Sequence, residues 1–172
     1  FILHPSTVSL SDFLDDFDQT YTALTAQKGL LWKIQKDNNS PSFIKTDPLR
    51  LSQILNNLLS NAVKFTRQGS ISLQVHAQSN RLIFDVIDTG TGIEKELQQQ
   101  IFDPFAQLEN SRLVRGTGLG LSIVKKLVKI FEGDLHLTSE KGKGSTFTVS
   151  IPFEAVDVKP GLVQTQSLTN KR

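Results

Sequence analysis

From Pro48 to Phe65 the apolar residues recur at the period of an α-helix. Leu51, Ile54, Leu55, Leu58, Leu59, Ala62 and Phe65 share one wide arc, and so wide an arc is stable only against a second layer of structure. Asp47 is a capping residue type and Pro48 suits a first helical turn, so the helix start is set locally. The period then changes. Ile71, Leu73, Val75 and Ala77 alternate with Ser72, Gln74 and His76, and after Ser79-Asn80 the run Leu82 to Ile87 predicts the returning strand of a hairpin. Leu135 and Leu137, followed by Phe147, Val149 and Ile151, predict a second antiparallel pair around a turn at Lys141-Gly142-Lys143-Gly144.

The remaining pattern completes two layers. Leu10, Phe13, Leu14, Phe17, Tyr21 and Leu24 predict a helix over Ser9 to Gln27, closed by Gly29. Short strands are expected at Leu30–Ile34 and Phe43–Thr46, a short helix near Glu94–Gln100, and a longer helix over Leu119–Phe131. One-faced strands interspersed with amphipathic helices imply an α+β fold, a two-layer α/β sandwich. Its sheet is mixed but mostly antiparallel and is covered on one face by helices. With 172 residues and 38% hydrophobic content the chain can fill one core. The domain is expected over residues 1–153, with 154–172 as a flexible tail or linker broken by Pro160-Gly161.

Composition removes several classes of function. Lysine and arginine exceed the acidic residues by 19 − 17 = +2, too little to predict a nucleic-acid partner. There is no cysteine, which excludes disulfide scaffolds, thiolate metal sites and cysteine nucleophiles. No apolar run approaches the roughly 18 residues of a membrane span. The chain contains no methionine and starts at Phe1, so it is expected to be a piece of a longer protein.

Three clusters carry possible chemistry. On the Pro48–Phe65 helix, Asn57, Asn61 and Lys64 fall on one narrow stripe beside the apolar arc. Asparagine disfavours a helix interior by up to about 0.7 kcal/mol, so Asn56, Asn57 and Asn61 together cost about 2 kcal/mol. Amide oxygens on a cleft wall can ligate a hard cation and a lysine can meet phosphate; a solvated polar face is the plainer alternative. Asp88 continues the face of Leu82, Phe84 and Val86 at a strand end and precedes Thr89-Gly90-Thr91-Gly92. A carboxylate there needs a strong donor; an exocyclic amine of adenine suits it, as would a turn or helix-capping role. Gly116-Thr117-Gly118-Leu119-Gly120 runs straight into a helix, whose free amides attract anions. No dinucleotide-binding glycine fingerprint and no P-loop is present.

The order of these clusters resembles the ATP-binding catalytic domain of a bacterial sensor histidine kinase, in the superfamily shared with gyrase B, the heat-shock-90 chaperones and the MutL repair proteins. Leu51 to Thr66 resembles the N box, Asp88 to Ile93 the first glycine box, and Phe102-Asp103-Pro104-Phe105 the F box. Gly116 to Leu121 resembles the second glycine box and Gly142 to Phe147, ending in Ile151-Pro152, the last strand pair. The resemblance covers about residues 1–153 and implies a Bergerat-type ATP-binding fold with ATP and Mg²⁺ as ligands. It implies that Asn61 ligates Mg²⁺, that Asn57 supports metal and phosphates, that Lys64 lies along the phosphates and that Asp88 takes the adenine amine. Gly90, Gly92, Ile93, Phe102, Phe105 and Thr146 would border the nucleotide. Gly116, Thr117, Gly118, Leu119 and Gly120 would hinge a lid over about Asp103–Arg115 and offer amides to phosphate. Arg112 or Arg115 would reach the terminal phosphate, and the lid is expected to be disordered without nucleotide. Arg115 stands where many members have the first glycine of a doublet.

The superfamily's ATPases usually place a glutamate, as a base, where Asn57 stands, and an amide cannot abstract a proton. The resemblance therefore implies transfer of the γ-phosphate to a histidine outside the chain rather than to water. That acceptor would lie on a separate helical hairpin of the same protein, since His4 precedes a proline and His76 and His136 read as sheet-surface residues. The family implies a homodimeric parent, often anchored in the bacterial inner membrane with this domain in the cytoplasm, and a response-regulator receiver domain as partner. The fragment alone would be monomeric. A docking module that binds a partner without kinase activity is the alternative.

Overall fold

The computed structural model describes residues 2–104 and 120–157. Among the described residues three α-helices and eight strands follow in the order β1 (Ser6–Ser9), α1 (Leu10–Gln27), β2 (Leu31–Lys36), β3 (Phe43–Thr46), α2 (Pro48–Phe65), β4 (Ser70–Gln78), β5 (Arg81–Asp88), α3 (Gly120–Ile130), β6 (Asp134–Glu140), β7 (Gly144–Pro152) and β8 (Glu154–Ala155). Two short 3₁₀ turns, Lys95–Leu97 and Gln100–Phe102, stand where one short helix was expected.

The helix starts are fixed by the residue types that announced them. Ser9 Oγ accepts from the Asp12 amide at 3.3 Å to cap α1. Asp47 caps α2 by accepting from the Arg50 amide at 3.1 Å, and its other oxygen accepts from the His4 amide at 2.9 Å. One buried carboxylate thus starts α2 and ties the N-terminal segment to it.

The main sheet has the order β2-β4-β5-β7-β6, with β2 parallel to β4 and every other pair antiparallel. Along β5 the residues alternate strictly: Leu82, Phe84, Val86 and Asp88 are buried, and the residues between them face the other way. This inner face packs on Leu51, Ile54, Leu55, Leu58, Leu59 and Ala62 of α2 and on Val124, Leu127 and Val128 of α3. The sheet is mixed and covered on one face, as the periodicity required.

Two features were not expected. A separate three-stranded sheet, β1-β3-β8, takes the short strands that flank α1 and α2. Its last member, Glu154–Ala155, pairs with Ile44 and Lys45, so ordered structure runs past the boundary expected at residue 153. On α1, Leu24 is 39% exposed and Thr25 is buried in its place, its hydroxyl donating to the Tyr21 carbonyl at 2.6 Å. The chirality of the turn puts position 25, not 24, over the core seam.

Tyr21 locks α1 to the sheet layer. Its ring lies 5.6 Å from Trp32, and its hydroxyl donates to Asn56 Oδ1 at 3.0 Å. Burial pushes its phenol up to about 12. A phenol whose folded pKa is raised stabilises the fold fully below its ordinary value near 10, and that contribution is lost between about pH 10 and 12. Tyr21→Phe should therefore flatten the alkaline limb of a melting-temperature profile across that window, by up to roughly 2–3 kcal/mol. Parallel alkaline limbs in the two proteins would contradict this.

Candidate functional site

One wall of the site is the polar stripe of α2. Asn57, Asn61 and Lys64 are half-buried there, in a helix whose other face is the core. Asn56 is not part of it: its side chain is taken by Tyr21, so it serves packing between α1 and α2. Opposite the stripe stands the first residue of α3. A Cβ built on Gly120 would lie 3.7 Å from Asn57 Oδ1 and 4.0 Å from Asn61 Nδ2. The two amides therefore face the first described turn of α3, and the start of a helix favours an anion.

The second wall is the end of β5. Asp88 is 9% exposed, and Gly90 donates its amide to Asp88 Oδ1 at 2.9 Å. Burial pushes the Asp88 carboxyl above the usual carboxylate range, opposed by the amides of Gly90 and Ser145. Gly90 is wedged against the end of α2, where a Cβ would come within 2.4 Å of the Phe65 carbonyl and 2.9 Å of Thr66 Oγ1. Thr91 donates its amide to that same Phe65 carbonyl at 3.2 Å. The two walls are thus stitched together directly.

The β6–β7 hairpin holds the loop from the other side. Gly92, at φ +67°, backs onto the Glu140 carbonyl, and Gly142 donates its amide to the Thr91 carbonyl at 2.7 Å. The Ile93 amide donates to Ser139 Oγ at 2.8 Å, and Ser139 Oγ lies 2.7 Å from Ser145 Oγ. Gln98 Nε2 donates to the carbonyls of Ile93 and Ser139, at 3.0 Å each. Lys141 pairs with Glu94 across the same junction. Phe102 packs edge-on against Phe147, with ring centroids 6.3 Å apart.

Asn57 and Asn61 therefore meet Gly120, and Asp88 and Gly90 meet the end of α2, the helix that also carries Lys64; Gly92 and Ile93 follow in the same loop. Thr146 does not join them. In the β5–β7 register Asp88 faces Ser145 and Ile87 faces Thr146, so strand alternation turns Thr146 to the outer face of the sheet. Ser145 stands on the inner face in its place, a position that the inward parity of Phe147, Val149 and Ile151 already implied. Thr66, Ser139 and Gln98 were also missed, because nothing in their spacing separates them from ordinary turn and strand residues. Phe105, Arg112, Arg115, Gly116, Thr117, Gly118 and Leu119 lie outside the described residues, as do most of the expected lid and the tail beyond Asp157.

Comparison with known proteins agrees with this arrangement. The profile of the family described as histidine kinase-, DNA gyrase B-, and HSP90-like ATPase matches residues 46–155. The chain is 36% identical over 170 residues to the autoinducer 2 sensor kinase/phosphatase LuxQ of Vibrio cholerae, covering 95% of this chain and 20% of that protein. It is 48% identical over 132 residues to the circadian input-output histidine kinase CikA of Synechococcus elongatus, covering 73% of this chain and 18% of that protein. The crystal structure of full-length ShkA in complex with AMPPNP superposes with a TM-score of 0.83 at 31% identity, covering 92% of this chain and 33% of that one. The chain spans about a fifth of the length of these curated relatives.

The hairpin glycines give a test of the clamp. A Cβ on Gly144 (φ +111°) would lie 2.1 Å from the Asp88 carbonyl, whereas one on Gly142 (φ +86°) meets nothing within 4 Å. Gly142→Ala should cost only the left-handed backbone term, about 1–2 kcal/mol, and Gly144→Ala clearly more in urea unfolding. Equal losses at the two positions would show that the hairpin does not press on Asp88.

Proposed function

Because the chain belongs to the histidine kinase-, DNA gyrase B- and HSP90-like ATPase family, we propose that it binds Mg·ATP and donates the γ-phosphate to a histidine on a separate helical hairpin of the same protein, as the catalytic domain of a two-component sensor histidine kinase. The observation that carries this reading is the pairing of Asn57 and Asn61 with the N-terminus of α3, across from a buried carboxylate. That layout suits a ligand with an amine at one end and a polyanion at the other.

The residues fit the nucleotide. Asp88 keeps one oxygen for Gly90 and has a second for the adenine amine, and Gly90 lets the backbone come close. Lys64 and the first amides of α3 would meet phosphate oxygens. The donor set also fits the metal. Among the described residues no group of three or more His, Asp or Glu side chains could hold an ion by itself. A Mg²⁺ ion that keeps phosphate and water ligands needs only one or two from the protein, and Asn61, with Asn57 beside it, would supply them. When bound, the ion neutralises charge on the phosphates. The chain's own residues orient the nucleotide, and Asn57, lacking a basic group, leaves water unactivated. Positioning and charge stabilisation carry most of a phosphoryl transfer, so the imidazole acceptor needs no base from this domain.

The acceptor histidine would come from outside. His4 precedes β1 with an exposed side chain, while His76 on β4 and His136 on β6 share the outer sheet face, away from the cleft. Among the described residues no helix is long and apolar enough to cross a membrane. A homodimeric parent, its membrane anchor, a cytoplasmic position for this domain and a receiver-domain partner all belong to this proposal, and the names of the relatives support its sensor-kinase part.

Incubated with radiolabelled ATP, the isolated chain should gain no stable phosphohistidine, and addition of the acceptor hairpin should produce one there. Label on the chain's own histidines would refute the division of labour. Steady release of phosphate would point instead to a water-directed ATPase, and absence of Mg²⁺-dependent ATP binding to a docking module.

Affinity should also depend on pH. An amine donates more strongly to the charged carboxylate than to the neutral acid, so binding is tightest above the raised Asp88 pKa and weakens as pH drops through it. Asp88→Asn should weaken ATP binding at neutral pH by about 100-fold or more and remove that acid limb in calorimetric titrations. An unchanged acid limb in the variant would assign it to another group.

A further inference from the structure

Thr66 ends α2 and turns out of the helix at φ −111°, ψ 114°. Its side chain is fully buried at 0% exposure, and among the described residues its Oγ1 has no hydrogen-bond partner. Among the described residues one other buried side-chain oxygen shares that state, Ser40 Oγ, in the turn between β2 and β3 and away from Asp88 and Gly90. A fully buried hydroxyl without a partner is costly, and such groups in a folded protein call for a reason.

Its position supplies one. A Cβ built on Gly90 would lie 2.9 Å from Thr66 Oγ1 and 3.0 Å from Asp88 Oδ1, so the two oxygens flank the same glycine. Asp88 Oδ1 already takes the Gly90 amide. Among the described residues, the Thr66 hydroxyl beside this carboxylate has a proton to give and no acceptor to give it to. Carboxylate and hydroxyl differ in what they can read: the first only accepts, the second can also donate.

We propose that the Thr66 hydroxyl is a second reader of the base, donating, directly or across a single water, to the ring nitrogen adjacent to the amine that Asp88 accepts. This rests on the adenine assignment of Asp88 and deepens it. Adenine offers an acceptor nitrogen next to a donor amine, and the pair Thr66–Asp88 presents a donor next to an acceptor. Guanine offers the reverse order. A base that fills this corner also satisfies the orphaned hydroxyl, so the group is costly in the empty protein and useful in the loaded one.

The test is a comparison of ligands against variants, read by titration calorimetry on the 172-residue chain. The probes are ATP, 1-deaza-ATP, which replaces the ring nitrogen by C–H, and purine riboside triphosphate, which lacks the amine. The unmodified chain should prefer ATP to 1-deaza-ATP by roughly tenfold, the scale of one hydrogen bond. Thr66→Val should erase that preference while keeping the preference for ATP over purine riboside triphosphate, and Thr66→Ser should restore it. Without nucleotide, the urea midpoint of Thr66→Val should equal or exceed that of the unmodified chain, because an unpaired hydroxyl has been removed. If Thr66→Val does not fold, Thr66→Ala carries the same comparison of ligands. A Thr66→Val protein that still favours ATP over 1-deaza-ATP tenfold overturns the proposal and leaves the function standing. An unmodified chain that binds none of the three overturns both.

Discussion

A carboxylate at the end of an apolar strand face is the constraint around which the rest is arranged. Asp88 continues the buried series Leu82, Phe84 and Val86, a register that leaves it only 9% exposed. The core cannot supply a cation, and no salt bridge among the described residues reaches it. What holds it is backbone: the amides of Gly90 and Ser145, one from the loop that follows and one from the neighbouring strand. Amide donors stabilise the charged form without neutralising it. The carboxylate therefore stays buried and only partly compensated, which is a state that a ligand amine completes.

Delivering those amides dictates the surrounding chain. Gly90 must press against the end of α2, and Gly144 must cross directly beneath Asp88, where a methyl group would collide with its carbonyl. The hairpin that carries Gly144 is in turn fastened to the loop through Gly142, Ser139 and Gln98. The glycines that read in the sequence as a turn bordering the nucleotide and a plain hairpin turn are, in the fold, the two halves of one clamp. Motif spacing marked each half; the contact between them joins residues some fifty positions apart and exists only in three dimensions.

That distinction sets what was legible in the sequence. The caps Ser9 and Asp47, the arc of α2 and the strict alternation of β4, β5 and β7 are local, and each was readable from period and residue type. The small β1-β3-β8 sheet was not, because strands of two to four residues carry too few alternations to show a period or choose a partner. Asn56, Asn57 and Asn61 look alike as helix-breaking polar residues, yet a rotation of one residue sends the first to the Tyr21 hydroxyl and the others to the cleft. The exchange of Thr146 for Ser145 is instructive in another way. Family likeness pointed to the wrong neighbour, whereas the parity of Phe147, Val149 and Ile151 pointed to the right one.

Several departures from the rules of a good core lie close together. Asn57 and Asn61, the raised carboxyl of Asp88, the unpartnered Thr66 hydroxyl and the crowded Gly90 lie along one stripe of α2 or at its end, whereas Asn56 is taken by Tyr21 and Ser40 stands apart in the β2–β3 turn. Under the proposed function, the free energy that these groups cost on folding is localised where a single ligand would return it, by giving the carboxylate an amine and the hydroxyl a ring nitrogen. On this view the cleft is not a gap left over by packing. Under the proposed function its hydrogen bonding is finished by the ligand, and the dense core behind α2 holds its wall in place.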